Sequence, residues 1–318
     1  MTRTRAPLCG LALVAGLLFA AVAPAAQFIN ILTGGTSGVY YPLGVALGKV
    51  FETAVPDARP SVQATKASVE NLNLLQAGRG ELGFSLGDAV SQAWAGNAEA
   101  GFKAPLKKLR ALAAIYPNYI QIIAAKDSGI RTLADLKGKR ISVGAPKSGT
   151  ELNARTVLAA AGLSYADFAK VEYLPFGESV ELMKNRQIDV TLQSAGLGVA
   201  SIRDLATAVP IVVVPVPADV VAKIGDSAYQ PAEIPVATYE GQDATVPTVA
   251  ITNILVTHSG VPDEVAYAMA KGLFEHLDQL AAAHAAGRAI KLENAVKGLP
   301  IPLHPGAEKY YREVGLLK

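Results

Sequence analysis

Thr33-Gly34-Gly35-Thr36-Ser37-Gly38-Val39-Tyr40 follows a short apolar run at residues 28–32 and opens a helical pattern. Val39, Leu43, Leu47 and Phe51 then recur every four residues, one apolar face of a helix. The stretch therefore reads as strand, glycine-rich turn, helix. Gly144-Ala145-Pro146-Lys147-Ser148-Gly149-Thr150 repeats that design between a strand at 140–143 and a helix at 151–161 that stops at Gly162. Around both turns β-rich runs (61–65, 82–85, 171–174, 188–192, 211–214) alternate with helical patterns (69–76, 88–94, from Glu178, 198–206). Such alternation gives mostly parallel sheets covered by helices. Two rounds of it, joined by apolar runs at 109–115 and 120–125 around Tyr116-Pro117-Asn118-Tyr119, predict an α/β fold with two lobes and a cleft between them.

The expected division is 26–117 plus 230–318 for a discontinuous first lobe and 118–229 for the second. Residues 209–221 read as a buried strand followed by a linker, and 229–248, rich in Pro, Gly and Asp, as a long loop. A strand at 249–256 leads to one long helix with Val265, Met269, Leu273, Leu277 and Leu280 on its apolar face. The proline-rich tail at 300–306 must be extended, and a C-terminal helix packing back on the first lobe makes that lobe discontinuous.

The 318 residues suit about two domains, and a chain 51% hydrophobic and 18% charged is too apolar for a disordered tail. Arg3 and Arg5 precede an apolar run at 8–22, shorter than the ~20 residues needed to span a bilayer. It ends in Ala23-Pro24-Ala25, so 1–25 reads as a cleaved signal peptide and the mature chain as starting near Ala26; the alternative is a membrane anchor. The only cysteine, Cys9, lies at the start of that run and is not a lipid-modified cleavage cysteine. The mature protein then lacks disulfides and thiolate cofactor chemistry, and the expected address is a bacterial periplasm. The whole chain carries a net charge of +2, and without Arg3 and Arg5 the two signs balance. No basic face points to nucleic acid or an anionic membrane as a partner.

Free N–H groups and the helix dipole make each glycine-rich turn attractive to anions. Thr33, Thr36 and Ser37 in one turn, and Ser148 and Thr150 in the other, add hydroxyl donors without formal charge. Neither turn is a Walker or G-x-G-x-x-G nucleotide motif. The plainer alternative is a tight turn that needs glycine's backbone freedom; a matching pair in two lobes favours a binding cleft. Tyr40, Tyr41, Tyr116, Tyr119 and Tyr239 are candidate ligand walls, with Tyr41 assigned to packing. A competing reading is a serine hydrolase: Gly83-Phe84-Ser85-Leu86-Gly87 fits the G-x-S-x-G elbow, with His258 as the base. Metal chemistry has no support, because His-Glu-x-x-His is absent and His276 and His284 read as solvent-facing helix residues.

The segments TGGTSGVYYPLGVAL (33–47), SVENLNLLQAG (68–78), LADLKGKRISVGAPKSGTELNAR (133–155), YEGQDATVPT (239–248) and PLHPGAEKYY (302–311) together resemble the TAXI family of TRAP-transporter solute receptors. That resemblance implies a type II periplasmic binding-protein fold and no catalysis. It implies capture of a small carboxylate, a glutamate-like amino acid or a dicarboxylate or 2-oxo acid, and delivery to TRAP permease subunits driven by an ion gradient. The ligand contacts it implies are Thr33, Gly34, Gly35, Thr36, Ser37, Gly38 and Tyr40; Ser68 and Asn71; Asp88; Ser148, Gly149 and Thr150; and Ser194, Ala195 and Gly196, with no cofactor and no metal. Lys66 departs from the family's usual glycine, and Gly87 from its usual serine. Lys66 is expected to bias the receptor toward a more anionic ligand, such as a dicarboxylate; the alternative is a surface lysine. Arg155 is not assigned to the site. A receptor that must hinge is most simply a monomer.

Overall fold

The computed structural model describes Thr2 and residues 26–318. Apart from Thr2, the expected signal peptide lies outside the described residues. The first strand-turn-helix unit is β1 (Gln27–Leu32) and α1 (Tyr40–Ala54). Leu43, Leu47, Val50 and Phe51 of α1 are buried in one core with Ile29 and Ile31 of β1. Gly44 permits that approach, because a Cβ there would lie 2.4 Å from Thr33 Cγ2. Then follow β2 (Ala58–Gln63), α2 (Ser68–Gln76), β3 (Leu82–Leu86) and α3 (Gly87–Ala95), with β1 parallel to both β2 and β3.

The two apolar runs around Tyr116-Pro117-Asn118-Tyr119 form one strand, β4 (Leu109–Ala125). The second round is β5 (Arg140–Ser142), α4 (Gly149–Ala160), β6 (Lys170–Glu172), α5 (Phe176–Lys184), β7 (Val190–Ala195), α6 (Ala200–Ala208) and β8 (Ile211–Val214). The expected linker after β8 is a short helix, α7 (Ala218–Ile224), because Val220 and Val221 have a core to face. The expected loop at 229–248 holds β9 (Gln230–Ile234) and the start of β10 (Val246–His258), which pair with each other. The single long helix is two: α8 (Asp263–Glu275) ends at His276, whose backbone leaves the helical region and whose ring bonds the Gly272 carbonyl, and α9 (Leu277–Ala283) follows.

The strand order is β2-β1-β3-β10-β4-β7-β5-β6, with β8 on β4 and β9 on β10. The sheet is mixed rather than mostly parallel, since β10 is antiparallel to β3 and β4, and β4 to β7 and β8. These two long strands belong to both halves. The start of β4 pairs with the end of β10, and the end of β4 pairs with β7 and β8. They cross where Tyr119 faces Ala250 and Pro117 faces Thr252. Pro117 fits because β10 is irregular there, with a register shift between Thr252 and Ile254. The tail pairs Leu303 with Ala111 and then forms α10 (Pro305–Glu313), which packs on α8 and whose Tyr311 hydroxyl donates to the Leu112 carbonyl at 2.7 Å. The C-terminus thus covers the first half of the sheet. Among the described residues no helix is long and apolar enough to cross a membrane.

Candidate functional site

Both glycine-rich turns end at the seam between the two half-sheets, where there is a cavity of about 100 Å³. Four helices start on its wall. α1 brings Gly34, Gly35, Gly38, Val39 and Tyr40; α2 brings Thr65, Lys66, Ala67 and Ser68; α4 brings Ala145, Ser148, Gly149 and Thr150; α5 brings Pro175 and Phe176. Leu86 of β3, Tyr116 and Asn118 of β4, and Ser194 and Ala195 of β7 complete the wall. The first N–H groups of any helix lack an intrahelical acceptor. Ser148 caps α4 by accepting the Glu151 N–H at 3.1 Å, which leaves those of Gly149 and Thr150 for a ligand. Ala67 precedes α2 at φ 72°, ψ −147°, a strained backbone for a residue with a Cβ.

The halves are in contact across the cavity. A Cβ on Gly149 would sit 2.5 Å from Ser68 Oγ and 2.7 Å from Leu86 Cδ1. The Glu70 N–H donates to the Lys147 carbonyl at 3.3 Å, and Arg155 Nη1 to the Glu99 carbonyl at 3.1 Å. This is a closed cleft.

Behind the wall a buried polar frame holds the crossing. Tyr40 donates to Asn253 Oδ1 at 2.5 Å, and Asn253 Nδ2 to the Tyr116 carbonyl and to Asn118 Oδ1, both at 2.8 Å. Asn118 Nδ2 donates to the Ser194 carbonyl at 3.0 Å. The frame ties α1, β10, β4 and β7 together. Two wall atoms, the Tyr116 hydroxyl and Ser194 Oγ, are buried without a partner. Unpaired buried hydroxyls are rare and costly, so they mark places where a ligand or water supplies the missing bond. Burial pushes the Tyr40 and Tyr116 hydroxyls well above the usual phenol range, so both stay neutral. Among the described residues Lys66 is the one charged residue on the wall, and no carboxylate lines it.

Of the expected contacts, Gly34, Gly35, Gly38, Tyr40, Ser68, Ser148, Gly149, Thr150, Ser194 and Ala195 lie on this wall. The others lie elsewhere. Thr33 is beneath the first turn, donating to the Gln63 carbonyl at 2.8 Å. Thr36 is exposed, and Ser37 faces Gly177 beside the wall. Asn71 is fully buried and donates to the Thr33 and Phe84 carbonyls at 2.7 and 2.8 Å, which fixes the ends of β1 and β3. Asp88 accepts from Asn153 and Tyr229. Gly196 packs behind the wall, where a Cβ would lie 3.0 Å from Ala286 Cβ.

The hydrolase constellation does not assemble. Ser85 is fully buried within β3 and its hydroxyl donates to the Leu86 carbonyl. It pairs with Ile254, whereas His258 pairs with Leu109, four residues along β10 and so roughly 13 Å away. His276 and His284 are half-buried rather than solvent-facing; each bonds the backbone, and His284 caps the turn at 285–289 by accepting the Ala286 N–H. Among the described residues no group of three or more His, Cys, Asp or Glu could hold a metal.

Asn118, Asn253, Pro175 and Phe176 were not singled out by the sequence. Asn253 had a signal, an amide in an otherwise apolar strand, and Pro175-Phe176-Gly177 another, since it too lies between a strand and a helix.

The same architecture occurs in known binding proteins. The alkanesulfonate-binding protein SsuA of Xanthomonas axonopodis pv. citri, bound to MOPS, superposes with a TM-score of 0.51 at 18% identity, over 92% of this chain and 96% of that one. The ligand-binding component of an ABC-type import system from Staphylococcus aureus, with zinc bound, gives 0.52 at 11% identity over 92% and 93%. A structure described as a periplasmic transporter gives 0.54 at 11% identity over 92% and 94%. These likenesses establish the periplasmic-binding-protein fold. The NMT1-like family model matches residues 31–315, nearly the whole described chain, so the chain belongs to the NMT1-like family.

Proposed function

We propose that this protein is a periplasmic solute receptor of the TAXI type. It captures a small carboxylate between its lobes, with 118–229 as the second lobe, and delivers it to an ion-gradient-driven TRAP carrier. It acts as a monomer and catalyses nothing. The observation that carries this reading is the convergence of four helix N-termini, two from each half, on one closed cavity with two unpartnered hydroxyls and no carboxylate. Such a wall attracts an anion from both sides at once. Hydrogen bonds to a charged group are worth ~1.5–3 kcal/mol each, against ~0.3–1 kcal/mol for one helix dipole. The donors therefore carry the affinity, and the dipoles select the sign.

A ligand that touches both halves shifts the open–closed equilibrium toward the closed form, which is what a membrane partner can recognise. An acid receptor and a component of an import system among the proteins of this fold support the transport reading. Lys66 adds one cation to the wall and favours acids with a second anionic group, such as a dicarboxylate, over 2-oxo monoacids.

The experiment is a thermal-shift screen of acetate, propionate, succinate, 2-oxoglutarate and L-glutamate, with succinamide as the uncharged control. At least one acid should stabilise the protein while succinamide does not. Stabilisation by none of the acids would refute the reading. Covalent labelling of Ser85 by a fluorophosphonate would point to the hydrolase instead.

A further inference from the structure

Beside the cavity, Asp88 from the start of α3 is fully buried against the other half of the molecule. Its Oδ2 accepts from Asn153 Nδ2 on α4 and from the Tyr229 hydroxyl, each at 2.7 Å. Asn153 Nδ2 also donates to the Tyr229 oxygen, at 2.9 Å. The donors of the cluster are then used up: both amide hydrogens and the phenol hydrogen are engaged. Two acceptors remain, Asp88 Oδ1 and Asn153 Oδ1, both buried and without a partner. The cluster lacks hydrogen, and the one group in it that can add a hydrogen near neutral pH is the carboxyl.

We propose that closing the two lobes takes up one proton, held on Asp88, and that opening releases it. The inference rests on the reading of the protein as a hinged receptor. Asp88 lies in the first half and Asn153 in the second, so separating the halves breaks their bond and lets water reach the carboxylate. Of the groups facing Asp88, Asp226 works in the same direction as burial, whereas the hydrogen bonds from Tyr229, the Ala89 N–H and Asn153 favour the ionised form. Asn153 from α4 is neutral, Tyr229 and Asp226 come from the segment before β9, and Tyr40 comes from α1; none is a cation. Burial is the main cause that raises the Asp88 carboxyl to about 6 in the closed form, with Tyr229 opposing as a donor.

The sign follows from linkage. A carboxyl whose pKa is higher closed than open favours closure once it is protonated, and that advantage is lost as pH rises through 6. With an ordinary open-state carboxyl near ~3.9, the closed-to-open ratio grows about tenfold between pH 7.5 and pH 5. A protein handing its ligand to a membrane carrier would thus close more readily on an acidic outer face and open more readily as pH rises.

The test uses the mature protein with 13C-labelled aspartate carboxyls, followed by NMR from pH 4 to pH 8, with small-angle scattering on the same samples. In the wild type, one carboxyl resonance should titrate near pH 6 and vanish in Asp88→Asn. The radius of gyration should fall as pH drops in the wild type and stay constant in Asp88→Asn. Tyr229→Phe removes a donor to the ionised form and should move both midpoints to higher pH, which keeps the test decisive if Asp88→Asn does not fold. An Asp88 resonance that titrates below pH 4.5 in samples whose scattering shows the closed form, or compaction that persists unchanged in the variants, would overturn the proposal. Neither result touches the acid screen, and a receptor that bound none of the acids would leave the Asp88 titration as it stands.

Discussion

Gly149 is a position where the two halves approach closely, so Gly149→Ala probes closure. The added Cβ would meet Ser68 Oγ at 2.5 Å and Leu86 Cδ1 at 2.7 Å, where ordinary contact begins at 3.4 Å. The Ser68 and Leu86 side-chain ends must turn aside or the halves must stand apart by up to about 0.9 Å more at this point. Overpacking of this kind costs ~1–3 kcal/mol, which is a loss of roughly 5- to 150-fold in affinity if it falls on the closed form alone. The fold itself should not suffer, because Gly149 is the first residue of α4 and alanine is the better helix former. The assay is thermal unfolding with the acid that stabilises the wild type most. At a hundred times Kd the wild type gains ~2.7 kcal/mol, and a variant bound a hundredfold more weakly retains ~0.4 kcal/mol. The ligand-free protein should unfold at or above the wild-type temperature while the ligand-induced gain largely disappears. Equal affinity in wild type and variant would show that binding does not need the contact between Gly149 and Ser68, and the closed-cleft argument would fall.

Thr150→Ala should weaken binding by ~1.5–3 kcal/mol, one hydrogen bond to a charged group, whereas Thr36→Ala, on the exposed side of the first turn, should leave titration calorimetry unchanged. Tyr116→Phe deletes a buried hydroxyl with no protein partner, so it should leave the free protein as stable as before, or up to about 1 kcal/mol more so, while weakening the acid; equal losses in free and bound protein would refute this. Ala67→Gly relieves a left-handed backbone that costs on the order of 1–3 kcal/mol, partly offset by ~0.4–1 kcal/mol of extra unfolded-state entropy. A urea midpoint corresponding to about 1 kcal/mol of added stability is expected, and a lower midpoint would count against the strain.

The strand-turn-helix units were legible because they are local. The ridge of Leu43, Leu47 and Phe51 needs only its own sequence to declare a buried face, and so does the stop at Gly162. The errors fall where distant segments decide. Tyr116-Pro117-Asn118-Tyr119 looks like a break between two strands because Pro117 lacks an N–H. It continues as one strand because β10 shifts register opposite it, and nothing near Pro117 in sequence announces that. The run at 230–234 has the composition of a loop, yet β10 offers it a ladder from Val246 to Ala250 and it becomes β9. In the site, Thr36 and Thr150 are the same kind of residue in the same kind of turn. Only the turn's path sends one to water and the other to the cavity.

The polar motif residues divide along the same line. Asn71 and Ser68 sit in a segment resembling one family of receptors, and that resemblance implies Asp88 and Ser194 as contacts too, but matching a motif does not say which group meets a ligand and which holds the frame. Asn71 spends both amide hydrogens on carbonyls of β1 and β3, so its role is to fix where the strands end. Where they end matters, because in open α/β sheets the ligand lies beyond the carboxyl ends of parallel strands. The β1 and β5 ends each carry a turn into a helix, and the crossing of β4 and β10 turns those ends toward each other. An anion held there by main-chain N–H groups and neutral hydroxyls needs one basic side chain at most. On the proposed reading, that is how a chain with a net charge of +2 would bind an acid without its composition saying so.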